Sequence, residues 1–314
     1  DLMPGGKETI MDLKPFIAAV SKEGLDIHGV LVRQHDTILD SFYWWDGRRD
    51  NIHSCSKTVL SLAMGMALEE GLLTMDERVV DIFPEQAPAC PSNYLSQLRV
   101  GHLMTMTAGY DKLVLHGCQR DWLEDLDWVH YALHYPLVSA PGQRFIYNNC
   151  APILASRAIQ KRAGMSLVDY LKPRLFDPLE IPNPQWMTCP LGYTLGVGGL
   201  FLNLEEMSRV GQLFLNEGCW KGRRLVPAAY IRDAVRCHVD TAGNPYRSER
   251  DSAAGYGYWV WRCARDDAYR AEGIYGQFII VLPRQDAVIA LAAHKEGCTQ
   301  PILDALWDTV VPQL

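Results

Sequence analysis

The run Asn51-Ile-His-Ser-Cys-Ser-Lys57-Thr-Val-Leu60 constrains this chain more than any other, because it places Ser54 and Lys57 at the mouth of a long apolar helix. Val59, Leu60, Leu62, Ala63, Met64, Met66, Ala67 and Leu68 are the inner wall of a helix that has to be buried. Residues three apart on a helix share one face, so the Lys57 amine can reach the Ser54 hydroxyl unaided. That is the S-x-x-K arrangement of a serine with a built-in base. The plainer reading is that Ser54 only caps the helix, since serine is a favoured N-cap.

The rest of the chain narrows the choice. With 314 residues and 48% hydrophobic content it can bury a large core, and at that length two lobes are expected. A net charge of −7, with no basic run beyond pairs such as Arg48-Arg49 and Arg223-Arg224, gives no footprint for nucleic acid. Nine scattered cysteines without a C-x-x-C pair read as reduced thiols, which suggests the cytosol. No run reaches the length of a membrane span, and Asp1-Leu-Met-Pro-Gly-Gly-Lys7 lacks a signal pattern, although a chain opening on Asp can be a trimmed one. His130 and His134 have helical i, i+4 spacing but lack the glutamate of a zinc-protease helix, so they read as surface or pocket-lining groups and no metal is expected.

Along the chain, 29–33 and 37–43 read as strands joined by Gln34-His-Asp36 in a hairpin, leading straight to Ser54. The helix after Ser54 runs to about Glu70 and ends at Gly71. Helical patterns then dominate to about residue 195. An amphipathic helix follows from Leu204 to about Asn216, then strand-like runs at 255–263, 276–282 and 287–293 and a last helix over 300–311. The expected organisation is an α/β domain from both ends of the chain, 1–85 and 196–314, around an all-helical insertion, 86–195. The aromatic and acidic stretch at 110–135 is a core helix or a lid.

A hydrolytic serine needs a proton relay and donors for an oxyanion. Tyr147 and Asn149, two apart on an extended segment after the turn Pro141-Gly-Gln143, point the same way. With its pKa lowered beside Lys57, Tyr147 would take the Ser54 proton and later return it to the leaving group. Asn149 would orient the lysine and the acyl group.

In this order, Ser54-Cys-Ser-Lys57, Leu68-Glu-Glu-Gly-Leu-Leu73, Val80-Asp-Ile-Phe-Pro84, Leu103-Met-Thr-Met-Thr-Ala-Gly109, Pro141-Gly142 to Tyr147-Asn-Asn149, Gly198-Gly-Leu200 and Tyr256-Gly-Tyr-Trp259 resemble the serine β-lactamase and penicillin-binding-protein superfamily. The likeness is closest to its class C branch of esterases, D-amino-acid peptidases and aminohexanoate-oligomer hydrolases, and it runs from about Gly29 to Val288. It implies an antiparallel sheet flanked by helices with an all-helical lobe, and a site between the two. By the resemblance Ser54 is the acyl-forming nucleophile, Lys57 and Tyr147 share general acid/base duty, and Asn149 completes the second motif.

The third motif departs from the pattern. Where β-lactamases carry Lys-Thr-Gly or His-x-Gly, this chain has Gly273-Ile274-Tyr275-Gly276-Gln277. Ile274 cannot hold a carboxylate, which argues against penicillins and peptidoglycan stems as main substrates. Gly276 permits close backbone approach, and the N–H groups of Gln277 and Ser54 would form the oxyanion hole. Trp44, Trp45, Trp122, Trp128 and Tyr275 are candidates for a neutral, partly apolar pocket. The expected activity is hydrolysis of a small ester or amide with no cofactor. The alternatives are acyl transfer, β-lactam or D-peptide cleavage on the same residues, and an inactive scaffold.

Overall fold

The computed structural model describes residues 11–314 except 245, 246, 248 and 266; the opening segment Asp1 to Lys7 lies outside the described residues. Six strands form the main sheet: β1 (Ile27–Gln34), β2 (Thr37–Tyr43), β3 (Trp261–Arg262), β4 (Tyr269–Gly273), β5 (Gln277–Leu282) and β6 (Ala287–Ala293). Their order is β2-β1-β6-β5-β4-β3, with antiparallel pairing throughout. Strands from both ends of the sequence therefore meet at the centre, where β1 pairs with β6 from Ile27 opposite Ala293 to Gln34 opposite Ala287. The predicted hairpin forms around His35 and Asp36. Both have positive φ, +48° and +65°, which matches the twist of a two-residue turn.

The period-2 patterning sorts the sheet's side chains onto two faces. Val30, Val32, Phe278, Ile280, Ile289 and Leu291 pack with Phe16 and Val20 of α1 (Lys14–Lys22) and with Ile302, Leu306 and Trp307 of the last helix, Gln300–Thr309. Leu31, Ile279, Val281, Val288 and Ala290 face the larger core. There α2 (Ser56–Glu69) runs fully buried from Ser56 to Ala67, as a segment apolar on nearly every side must. Helix Leu204–Leu215 lies on the same face, its start fixed by a reciprocal box in which Asn203 Oδ1 accepts from the Glu206 N–H (2.9 Å) and Glu206 Oε2 from the Asn203 N–H (3.0 Å).

Two expectations need correction. The run 255–263 is not one strand, because only Trp261–Arg262 joins the sheet. At Gly257 a Cβ would lie 2.1 Å from the Ala234 carbonyl oxygen, and Trp259 sits at φ +55°, so the chain turns there instead of extending. Conversely, β4 is a fully buried strand that hydrophobic patterning did not predict. Its Arg270 and Glu272 hide their polarity in an ion pair of 2.7 Å. Within 86–195 the regular elements are helices except for Gln185–Trp186, which forms a short sheet with Leu200–Leu202 and Asp50–Asn51, just ahead of Ser54.

Candidate active site

The chain reaches Ser54 through a single 3-10 turn, His53–Cys55, before α2 begins. His53 has φ +47°, an uncommon conformation for a residue with a side chain. Asn51 holds this turn: its Oδ1 accepts from the His53 N–H (2.8 Å) and from the Gly199 N–H (3.1 Å). Cys55 locks the other side, its thiol 3.2 Å from the Gln277 carbonyl oxygen. The N-cap position of α2 is Cys55 and carries no side-chain cap, so the Ser54 hydroxyl is not spent on capping. Instead Ser54 Oγ lies 2.8 Å from Lys57 Nζ, which also donates to the Val197 carbonyl at 2.8 Å. Gly196 to Gly199 bring that carbonyl in close; a Cβ at Gly196 would meet Ser156 at 2.7 Å and Leu60 at 2.9 Å.

Lys57 is 1% exposed. Burial, then the charge of Arg120, hold its amine well below the usual lysine range. Tyr147 completes the cluster. It is hydrogen-bonded to Ser54, its ring centroid is 5.0 Å from Lys57 Nζ, and it stacks on Trp261 at 5.8 Å. The expectation that Tyr147 has a lowered pKa is wrong in sign. Burial raises it, and the Ser54 hydrogen bond and Arg247 only partly offset that, so the phenol is a neutral donor and acceptor.

Asn149 stands at the N-cap position of a buried helix, Cys150–Ala163. Its amide donates to the Leu115 carbonyl (2.9 Å), and its backbone N–H donates to the Val114 carbonyl (3.0 Å). Its own Oδ1 is buried without a partner among the described residues, an acceptor left open. Asn148, not Asn149, secures the helix start, by accepting from the Ala151 N–H at 2.9 Å.

The β4–β5 hairpin passes the serine turn. A Cβ on Gly273 would sit 2.5 Å from the Ile52 carbonyl oxygen and 3.1 Å from His53 Cβ, so only glycine lets this strand end lie against the turn. Gln277 pairs with Gly273 in the ladder, and its side chain donates to the Ala293 carbonyl at 2.6 Å. Ile274 is the first residue beyond β4, with its side chain 54% exposed. Tyr275, at φ +72°, stacks on His294 (4.3 Å) and meets His53 edge-on (5.4 Å).

The tryptophan candidates separate. Trp128 is buried on helix Trp128–His134, with the Arg120 guanidinium 5.7 Å from its ring. Trp122 is 87% exposed. Trp45 stacks on His28 (3.6 Å) and carries Arg48 over its ring (5.1 Å), in a shallow cleft that Asp50, Asn203 and Gln277 also line. Trp44 is exposed beside Phe42. The His130 and His134 rings lie against each other at 3.9 Å, tilted by 32°; His130 Nδ1 is 2.7 Å from Asp125 and His134 Nδ1 is 2.9 Å from the His130 carbonyl oxygen, so both are engaged at the surface. All nine cysteines are free. Among the described residues no helix is long and apolar enough to cross a membrane, and no cluster of three or more His, Cys, Asp or Glu could hold a metal ion. The Val197 carbonyl, Trp261 and Arg120 carried no sequence signal because they come from chain segments far from Ser54, and Asn51, only three residues before it, carried none because its role depends on the distant Gly199.

Known proteins resemble this chain in sequence and in fold. A relative from Paenarthrobacter ureafaciens, a 6-aminohexanoate-dimer hydrolase, is 21% identical over 281 residues, covering 82% of this chain and 70% of that protein. A Beta-lactamase from Yersinia enterocolitica is 28% identical over 137 residues, 44% of this chain and only 33% of that protein. The solved structure of a penicillin-binding protein homologue from Pyrococcus abyssi superposes with a TM-score of 0.78 at 17% identity, covering 96% of this chain and 78% of that one, which establishes a shared fold. The Beta-lactamase family model matches residues 48–306, a span that holds Ser54, Lys57, Tyr147 and the β4–β5 hairpin, and the chain belongs to this family of serine hydrolases.

Proposed function

We propose that this protein hydrolyses a small ester or amide through an acyl-enzyme on Ser54. The observation that carries the reading is the Lys57 amine, buried, depressed in basicity and 2.8 Å from the Ser54 hydroxyl. A lysine whose amine is depressed by burial gives up its proton more readily and can act as a base, and one held against a serine makes that serine a nucleophile. As Ser54 Oγ bonds to the substrate's carbonyl carbon, its proton passes to Lys57 Nζ and the carbonyl π electrons move to oxygen. The backbone N–H groups of Ser54 and Ile274 suit that oxyanion. We place the second donor at Ile274 and not at Gln277, because Gln277 sits in the hairpin ladder while Ile274 follows the glycine that lies against the serine turn.

When the tetrahedral adduct collapses, the bond to the leaving group breaks and that group takes the Tyr147 phenolic proton, which Lys57 replaces. Water then repeats the sequence on the acyl-enzyme, releasing the acid and restoring Ser54. The open Asn149 Oδ1 is suited to accept a hydrogen bond from the acyl side of the substrate.

Intact-mass analysis after brief exposure to a fluorophosphonate tests the nucleophile. Wild type should gain one adduct and Ser54→Ala none, and Ser54→Ala should lower kcat/KM on a short-chain nitrophenyl ester by roughly 10^4-fold or more. Full activity in that variant sinks the reading.

A further inference from the structure

The third-motif segment Gly273–Gln277 lacks a cation, yet the site is not without one. Arg120 ends the short helix Gly117–Arg120, two residues after the Val114-Leu115 segment that two hydrogen bonds pin to Asn149. Its guanidinium is half-buried over Trp128 and makes no side-chain hydrogen bond or ion pair among the described residues; Asp121 favours its charge without pairing. Arg247 pairs with Glu272 and Glu249, and Lys295 donates to the Glu296 carbonyl. Arg120 also exerts the strongest charge effect felt at the Lys57 amine. A half-buried guanidinium with five donors and no counter-ion is poorly satisfied in the free protein.

We propose that Arg120 receives an anionic group of the substrate, of carboxylate type, and so selects for charged esters or amides from the Asn149 side of the site. The inference rests on the hydrolase reading above. Approach of a carboxylate would satisfy the guanidinium by a bidentate pair while Trp128 covers its face. Selection of this kind does not depend on a third-motif lysine or histidine.

The test compares mono-4-nitrophenyl glutarate with 4-nitrophenyl valerate, and 4-(butanoyloxy)benzoate with phenyl butanoate, so that the anion lies on the acyl side in one pair and on the leaving group in the other. Wild type should prefer the anionic member of at least one pair. Arg120→Gln should cut that preference ratio by about 10- to 100-fold, with Arg120→Lys retaining part of it. The acid limb of kcat/KM, set by Lys57 among Ser54, Tyr147, Cys55 and Arg120, should also move to higher pH in Arg120→Gln, because a neighbouring positive charge is gone. An unchanged ratio, or equal loss on charged and neutral esters, overturns the proposal. If wild type neither turns over any ester nor takes the fluorophosphonate, the hydrolase reading fails separately. Calorimetric binding of glutarate then decides for Arg120: weaker binding to Arg120→Gln than to wild type upholds it, and equal or absent binding overturns it.

Discussion

At the residue scale the proposed mechanism rests on opposite displacements of two ordinary groups. Burial pushes the Lys57 amine down and the Tyr147 phenol up, so each is biased toward its neutral form. Because the depressed lysine must lose its proton to act, kcat/KM should fall as pH drops through the Lys57 value, which lies well below 10.5. Lys57→Met should remove that limb along with most activity; a pH–rate profile of the variant that keeps it would assign the base elsewhere. Tyr147→Phe separates the second role. Nitrophenolate leaves without a proton, whereas an alkoxide or amine does not, so the variant should lose roughly 10^2- to 10^4-fold on an alkyl ester or amide and much less on a nitrophenyl ester. Equal losses on both would make Tyr147 a packing residue. The Ser54–Lys57 spacing was legible because one helical turn contains it. The direction of the Tyr147 shift was not, because it depends on Trp261 and Tyr256, over a hundred residues away, closing on the ring.

At the element scale, patterning revealed those elements whose burial is apolar. The hairpin at 35–36, the α2 helix and the helix begun by Asn203 all lie where periodicity and capping placed them. Strand β4 escaped because its inward polar side chains neutralise each other, and the run at 255–263 misled because its alternation is interrupted by a turn that only tertiary contact enforces. Gly273 shows what such contact demands. Replacing it with alanine puts a methyl group 2.5 Å from the Ile52 carbonyl oxygen, and neither partner is a flexible side chain, so the hairpin and the serine turn must separate. Gly273→Ala should cost about 1–3 kcal/mol of stability and lower kcat more than KM, because the oxyanion donors shift. Gly243→Ala, with open space around the added carbon, should be close to neutral. Thermal melts and steady-state kinetics of the pair check this, and equal behaviour would mean that the hairpin's fit does not matter.

At the scale of the whole molecule, a buried charge network joins the edge of the sheet to the last helix. Arg270 donates to Glu272 (2.8 Å) and to the carbonyls of Asp251 (3.1 Å) and Arg262 (2.8 Å). Glu272 also holds Arg247 and accepts from Thr299 (3.2 Å), while Asp251 accepts from Gln300 (2.6 Å) and Trp307 (3.1 Å). These residues come from four separated stretches of the last third of the chain, so the network closes only when the final helix has docked beside the edge strands of the sheet. Burial opposes ionisation of Glu272, but Arg270 and Arg247 outweigh it and leave its carboxyl below the usual value of 4.5. A carboxylate depressed in the folded state adds stability above its unfolded pKa, and that stability is lost as pH falls through the lower, folded value. The protein should therefore lose stability on acidification below about pH 4.5, the ordinary glutamate value, with the loss continuing as Glu272 takes a proton. Glu272→Gln leaves Arg270 and Arg247 without their shared anion, and it should cost roughly 3–5 kcal/mol at pH 7 while flattening the acid dependence. Denaturant melts of wild type and variant at pH 7 and pH 4 read both effects. A variant with the same acid slope as wild type would move the acid-sensitive group away from this network, and leave it as a device of specificity alone.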